Sequence, residues 1–524
     1  MSEQHTNGDE RPVPTGVAGL DDILRGGLTP GRLYLIEGDP GSGKTTLALQ
    51  FLLDGVRRGE PTLYVTLSET KQEILAVAAS HGWSLDGINI FEMPTYESSL
   101  SPDAQLTMFH PSELELGETT KGVLAEVERT KPKRVVFDSL SEMRLLAQNA
   151  LRYRRQILGL KQFFAGRQST VLLLDDMTGP EADSQLQSIA HGVVRLEQTT
   201  TGYGAERRNL RVCKMRGLSY RGGNHDFMIR TGGLDVFPRL VANEHQGAFD
   251  DRDAPSGNPG LDELLRGGLP AGSSTVFIGP AGVGKSTVAM QFAVAAAARG
   301  ERAALFIFDE TVGTLRARAR KLAMPIEQYM ETGAITIQQV DPAELSPGEF
   351  IAIVRRAVDG TDANGRRAKV VMIDSLNGYL HSMSEESYLN AQLHELFTYL
   401  NHRGVSTLVT VTQSGMIGAA MRTPVDTTYL ADNVVLFRYF EAQGRVRRAI
   451  SVVKKRSGAH ELTIREMRMT SGKGVEIGPP LEEFQGLLSG TPMYVGRPGA
   501  LMSGEAEGAA GGRQFPGPAG GSEE

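Results

Sequence analysis

The sequence predicts two tandem α/β domains, each a mainly parallel sheet with helices on both faces. Three observations predict it. At 524 residues the chain exceeds what one hydrophobic core supports and suits two domains. It also repeats itself: TGVAGLDDILRGGLTPGRLYLIEGDPGSGKTTLALQF, from Thr15, lies over SGNPGLDELLRGGLPAGSSTVFIGPAGVGKSTVAMQF, from Ser256, at an offset of 241 residues. A repeat this long is a duplicated domain rather than a solenoid unit, which runs to roughly 20–50 residues. Inside each copy, short apolar runs alternate with helical stretches, the pattern of parallel strands buried on both faces.

The elements follow in order. In the first copy RLYLIEG reads as a strand that ends at a glycine loop, and TTLALQFLLDGVRRG as a helix that closes on glycine; TLYVTLSE, RVVFDS and TVLLLDD are further strands. The second copy gives STVFIG, then STVAMQFAVAAAARG as the helix, then AALFIFDE, KVVMIDS and STLVTVTQ. These patterns set the expected boundaries: a flexible N-terminus over 1–11, a first domain over 12–243, a polar, turn-rich linker over 244–255, and a second domain over 256–490. The glycine, alanine and proline bias of 491–524 predicts a disordered tail.

Bulk properties narrow the function classes. The formal charge is −7 with charges of both signs well mixed, which disfavours a tight nucleic-acid binder. Cys213 is the one cysteine, so no disulfide within the chain and no cysteine-based zinc site can form, and it reads as a small, half-buried strand residue. No apolar run approaches the roughly 18 residues a membrane helix needs, and the first residues lack a basic stretch followed by an apolar one. A cytoplasmic protein without a membrane partner is the expectation.

The repeated GxxxxGK[ST] loop carries the chemistry. Its glycines let backbone N–H groups approach phosphate oxygens, its lysine meets the β- and γ-phosphates, and its hydroxyl reaches a magnesium ion. The predicted nucleotide contacts are Gly38, Gly41, Ser42, Gly43, Lys44, Thr45 and Thr46, then Gly279, Gly282, Val283, Gly284, Lys285, Ser286 and Thr287. Two such loops in register, each after a strand, predict a pair of P-loop NTPase sites that bind ATP with Mg2+. A carboxylate at a neighbouring strand end must orient the metal; RVVFDS and KVVMIDS offer Asp138 and Asp374, which with Thr45 and Ser286 make the expected metal ligands. Serine, Ser139 or Ser375, follows each aspartate, so the water-activating acid must lie elsewhere. TLYVTLSET and AALFIFDET each end a strand in an acid, which makes Glu69 and Glu310 the candidate general bases, with Asp309 beside the second. That placement is the one used by the RecA class of ATPases.

With the duplication, the separated glutamate and the TGVAGLDDILRGGL lead-in, the chain resembles the KaiC family of duplicated RecA-type ATPases over roughly residues 12–490. KMRG at 214–217, KKRS at 454–457, FEMPTYE and FHPSELELG add to the likeness. The resemblance implies a homohexameric double ring with ATP between neighbouring subunits, a signalling or timing role, and KaiB-like or other signalling proteins as partners. It gives Lys214, Arg216, Lys454 and Arg456 the part of reaching a neighbour's phosphate, and it implies serine/threonine autokinase activity in the second domain. Aligning ADNVVLFRYF with the family's acceptor strand puts the phospho-acceptor at Thr428, followed by Tyr429 where the family has a second acceptor, with Thr427 as the fallback. Where clock KaiC has two adjacent glutamates, this chain has Ser68 with Glu69, then Asp309 with Glu310.

Two other readings stay open on the sequence. A DNA-acting RecA relative, recombinase or helicase, would use basic loops, for which LRYRRQILGLK at 151–161 is the best stretch, although its spacing suits a helix at least as well. A scaffold in which nucleotide only holds rings together would lack turnover.

Overall fold

The computed structural model describes residues 11–92, 111–147, 149–177, 184–200, 204–245, 247, 252–382, 388–413, 430–487 and 493–495. The chain divides into two compact units, one of Met1–Leu240 with Ser346–Ala352, the other of Val241–Leu345 with Ile353–Glu524. Each holds one nine-stranded sheet.

In the first unit the strands are β1 (Leu33–Gly38), β2 (Thr62–Thr66), β3 (Ile88–Glu92), β4 (Arg134–Asp138), β5 (Thr170–Asp176), β6 (Gly192–Thr199), β7 (Arg207–Met215), β8 (Asn224–Arg230) and β9 (Gly233–Phe237). Their order is β3-β2-β4-β5-β1-β6-β7-β8-β9. The ladders from β3 to β6 are parallel, and β7, β8 and β9 extend the sheet antiparallel. β1 is buried along its whole length between β5 and β6, which is why it reads as an unbroken apolar run. One apolar layer packs Leu47, Phe51 and Leu52 of the helix Lys44–Arg57 on Tyr34, Ile36 and Tyr64; the opposite layer packs Ile157, Leu160 and Phe164 of the helix Ala150–Ala165 on Leu33, Leu35 and Phe137.

The second unit opens on a short 3-10 helix, Ala242–His245, followed by an antiparallel pair, β10 (Asp253–Ala254) with β11 (Leu269–Pro270). Its sheet holds β12 (Ser274–Gly279), β13 (Arg302–Ile307), β14 (Ile335–Gln339), β15 (Ala368–Asp374), β16 (Ser406–Thr412), β17 (Asn433–Ala442), β18 (Arg445–Lys455), β19 (Arg465–Thr470) and β20 (Gly474–Pro480). The order, β14-β13-β15-β16-β12-β17-β18-β19-β20, repeats that of the first unit strand for strand. Register fixes what converges at the C-terminal edges: Gly38 pairs with Asp176 and Thr66 with Asp138 in one sheet, Gly279 with Thr412 and Ile307 with Asp374 in the other. Ligands of open α/β sheets sit outside that edge. No helix among the described residues is long and apolar enough to cross a membrane.

Candidate functional site

Each glycine loop turns straight into a helix because its last glycine adopts a left-handed backbone. Gly43, at φ 102°, caps the helix Lys44–Arg57, and Gly284, at φ 116°, caps the helix Lys285–Ala298. Gly38 and Gly279 answer a different need, close approach: a Cβ on Gly38 would lie 2.5 Å from Leu196 O, and one on Gly279 2.7 Å from Phe437 O. The loops therefore lie tight against β6 and β17, and Ser42 N–H closes the first of them on Asp39 O at 3.1 Å.

In the first unit Lys44 Nζ donates to the carbonyls of Gly38 (2.8 Å) and Asp39 (2.9 Å) and pairs with Asp176 at 2.7 Å. Thr45 Oγ1 donates to Asp138 Oδ2 at 2.9 Å, and Tyr64 Oη donates to the same oxygen. Burial pushes the Asp138 carboxyl above the usual range, against the pull of those two hydroxyls. Glu69 stands in the turn that joins β2 to the helix Lys71–Ser80. Thr66 Oγ1 braces both its N–H and its carbonyl, and Thr70 with Glu73 closes a capping box behind it. Its Oε2 is buried with no hydrogen-bond partner, and burial, followed by the charges of Asp138, Glu73 and Asp176, raises its carboxyl above the ordinary value.

The second unit repeats the frame with different fittings. Lys285 Nζ donates to Gly279 O (2.9 Å) and Pro280 O (2.8 Å), and Thr412 stands where the first unit has Asp176. Burial lowers the Lys285 ammonium to about 8. Ser286 Oγ donates to Asp374 Oδ1 at 2.9 Å, and here the second hydroxyl on the carboxylate is that of Thr410. Asp309 accepts from Ser375 Oγ, while Glu310 is paired with Arg318. A cavity of about 520 Å³ opens beside the loop, lined among others by Gly282, Lys285, Ser286, Thr287 and Arg318. Asp138–Ser139 and Asp374–Ser375 are both cis peptides.

These groups suit a nucleoside triphosphate with a magnesium ion. Ser42 Oγ is buried in the first loop without a partner, and Lys285 is a buried cation that an anion would compensate. Among the described residues no three His, Cys, Asp or Glu side chains cluster as a metal cage. One hydroxyl and one carboxylate per site, completed by phosphate oxygens and water, is the donor set that magnesium takes.

A family model described as "ATPase: KaiC" matches residues 13–241 and again 254–482. The chain belongs to the KaiC family of ATPases. It is 28% identical over 499 residues to the circadian clock oscillator protein KaiC of Thermosynechococcus vestitus, covering 94% of each chain. The protein of that name in Synechococcus elongatus is 28% identical over 505 residues, 94% of this chain and 95% of its own. The circadian clock protein KaiC3 of Synechocystis sp. is 27% identical over 507 residues, 94% of this chain and 97% of its own.

The KaiC-type KxRG residues lie apart from the loops of their own units. Lys214 donates to the carbonyls of Gln187, Ser188 and Ala190, and Arg216 to Ser188 O at 3.0 Å, so both cover the C-terminal end of the helix Ser184–Ile189. Lys454 donates to Ala431 O at 2.7 Å, and Arg456 pairs with Asp432 at 3.0 Å. Thr428, with Thr427 and Tyr429, lies outside the described residues. One expectation changes in detail. Cys213 is exposed rather than half-buried, because β7 alternates and turns Val212 inward. The basic stretch 151–161 lies in the helix Ala150–Ala165, as its spacing suggested, with Tyr153, Ile157 and Leu160 buried. Sequence reasoning missed Asp176, Tyr64, Thr410 and Arg318. Asp176 alone carried a signal, a second acid at a strand end in TVLLLDD.

Proposed function

We propose that the chain is an ATP-hydrolysing, hexameric KaiC-type signalling or timing protein, with a site in each of its two domains, 12–243 and 256–490. The observation that carries this reading is the repeated contact at 2.9 Å between a loop hydroxyl and a strand-end carboxylate, Thr45 with Asp138 and Ser286 with Asp374, each beside an acid turn. Lys44 and Lys285 would hold the β- and γ-phosphates, with the backbone of Gly41 to Thr46 and of Gly282 to Thr287 around them. Thr45 with Asp138, and Ser286 with Asp374, would hold a magnesium ion, whose charge offsets that of the phosphates. Glu69 in the first domain and Glu310 in the second accept the proton of the attacking water; a carboxyl raised by burial is suited to this. Lys214 with Arg216 leave their helix-end carbonyls, and Lys454 with Arg456 leave Ala431 O and Asp432, to meet a neighbour's phosphate on assembly.

The timing role extends from the relatives named as clock proteins, and the hexamer and a KaiB-like partner are what the family resemblance implies. The same resemblance implies autokinase activity in the second domain, where Asp309 or Glu310 would draw the proton from the hydroxyl of Thr428. Native mass spectrometry with and without ATP and magnesium reads subunit number, bound nucleotide and added phosphate together. Six subunits and up to twelve nucleotides with ATP, and dissociation without it, are expected. A chain that stays monomeric with ATP refutes the assembly. Phosphopeptide mapping of 423–432, with Thr428→Ala as control, decides the kinase site.

A further inference from the structure

The acid turns of the two units match in sequence type and differ in what holds them. Both oxygens of Glu310 are taken: Arg318 Nη1 donates to Oε2 at 2.9 Å and Nη2 to Oε1 at 2.6 Å. The Glu310 side chain is 16% exposed, so little water competes for it. Arg318 stands eight residues on, in the helix Val312–Lys321 that Thr311 caps directly after the turn, and it lines the cavity beside Lys285 and Ser286. Asp309, the other acid of the turn, is engaged by Ser375. In the first unit the residue eight on from Glu69 is Val77, half-buried in the apolar layer, and Glu69 Oε2 has no partner.

We propose that Arg318 is a latch on Glu310, a positioning residue that withholds this carboxylate from the attacking water and makes the second site the slower of the two. A general base needs a lone pair turned toward the proton it removes, within hydrogen-bond reach. A bidentate guanidinium occupies the lone pairs on that side of both oxygens and fixes the plane of the carboxylate. Among the described residues the first site has no such clamp. The latch rests on the reading of Glu310 as the base.

The test uses the full-length protein carrying Glu69→Gln, so that turnover reports the second site. Arg318→Ala should raise kcat about tenfold, the order of one charge-assisted pair released, with KM for ATP within about twofold. Arg318→Lys, which keeps the charge but loses the fork, should fall between. Adding Glu310→Gln to Arg318→Ala should abolish the gain. A raised KM at unchanged kcat would make Arg318 a nucleotide contact and overturn the latch, as would a fall in kcat or a gain that survives Glu310→Gln. The reading beneath it fails separately, if Glu310→Gln alone leaves turnover intact. The reciprocal variant Val77→Arg, in a Glu310→Gln background, should lower first-site kcat about tenfold relative to Val77→Met; equal rates for the two would also overturn the proposal.

Discussion

Replacing Tyr64 by Phe removes one hydroxyl and leaves the ring that fills the first apolar layer. Tyr64 is fully buried, and its hydroxyl and that of Thr45 converge on one oxygen of Asp138. The variant leaves Asp138 with Thr45 alone, in a place where burial already pushes the carboxyl up, so its anionic form is harder to keep. A hydrogen bond to a charged group contributes about 1.5–3 kcal/mol, and losing a group that orients a metal ligand typically weakens the metal about 10–100-fold. The assay is a magnesium titration of ATP turnover at saturating ATP, with Glu310→Gln silencing the second site. The midpoint should rise about 10–100-fold, and by more at low pH, where the raised carboxyl takes up a proton. Leu305 stands at the matching place in the second unit, where Thr410 supplies the hydroxyl instead, opposite Leu174 of the first. Tyr64→Phe should therefore leave the second site's midpoint unmoved, and Thr410→Val should shift only that one. An unchanged midpoint, or turnover lost at every magnesium concentration, would refute the reasoning.

Three further outcomes are expected. Glu69→Gln and Glu310→Gln should each remove a separate part of ATP turnover and together remove nearly all of it; parental rates in the double variant would show that the bases lie elsewhere. Because burial lowers Lys285 to about 8, phosphate binding there should restore its proton. Calorimetry near pH 8 in buffers of different ionisation enthalpy should read proton uptake on ATP binding, smaller in Lys285→Met. Asp175, buried and raised to about 6, pairs with Arg144 at 2.7 Å, and Arg144→Met should cost about 1–3 kcal/mol at pH 7. The sign follows from a folded value above the unfolded one: the folded form holds the proton longer, so the deficit shrinks below about pH 6. Thermal unfolding at pH 5 and pH 7 checks it.

Much of this was legible because the chemistry needs fixed residue types at fixed spacing. The loop glycines, Lys44 and Lys285 could be read because only Gly tolerates the left-handed turn and the close strand, as at Gly43 and Gly279. The central strands were equally plain, since β1 and β12 are covered on both faces and must be apolar throughout. The antiparallel strands β7 and β18 were less so. RRNLRVCKM and RVRRAISVVKK are rich in cations because one face is left partly open. Partners chosen by tertiary proximity were out of reach. Tyr64 lies 74 residues before Asp138, and Thr410 36 after Asp374, on strands whose adjacency only the sheet order supplies. The Arg318 clamp was invisible for another reason: an arginine in an exposed-looking RARARK run carries no mark of the one carboxylate it grips.

The lone thiol has a practical consequence. Cys213 is exposed on β7 one residue from Lys214, and no other cysteine competes for a maleimide or a nitroxide. The native chain thus accepts one spectroscopic label per copy with no engineered site. If copies assemble in the proposed ring of six with Lys214 at their seam, the nitroxides give a short set of repeating separations, read by pulsed dipolar spectroscopy. Dilution into nucleotide-free buffer would then appear as decay of that dipolar modulation, giving the lifetime of the ring directly.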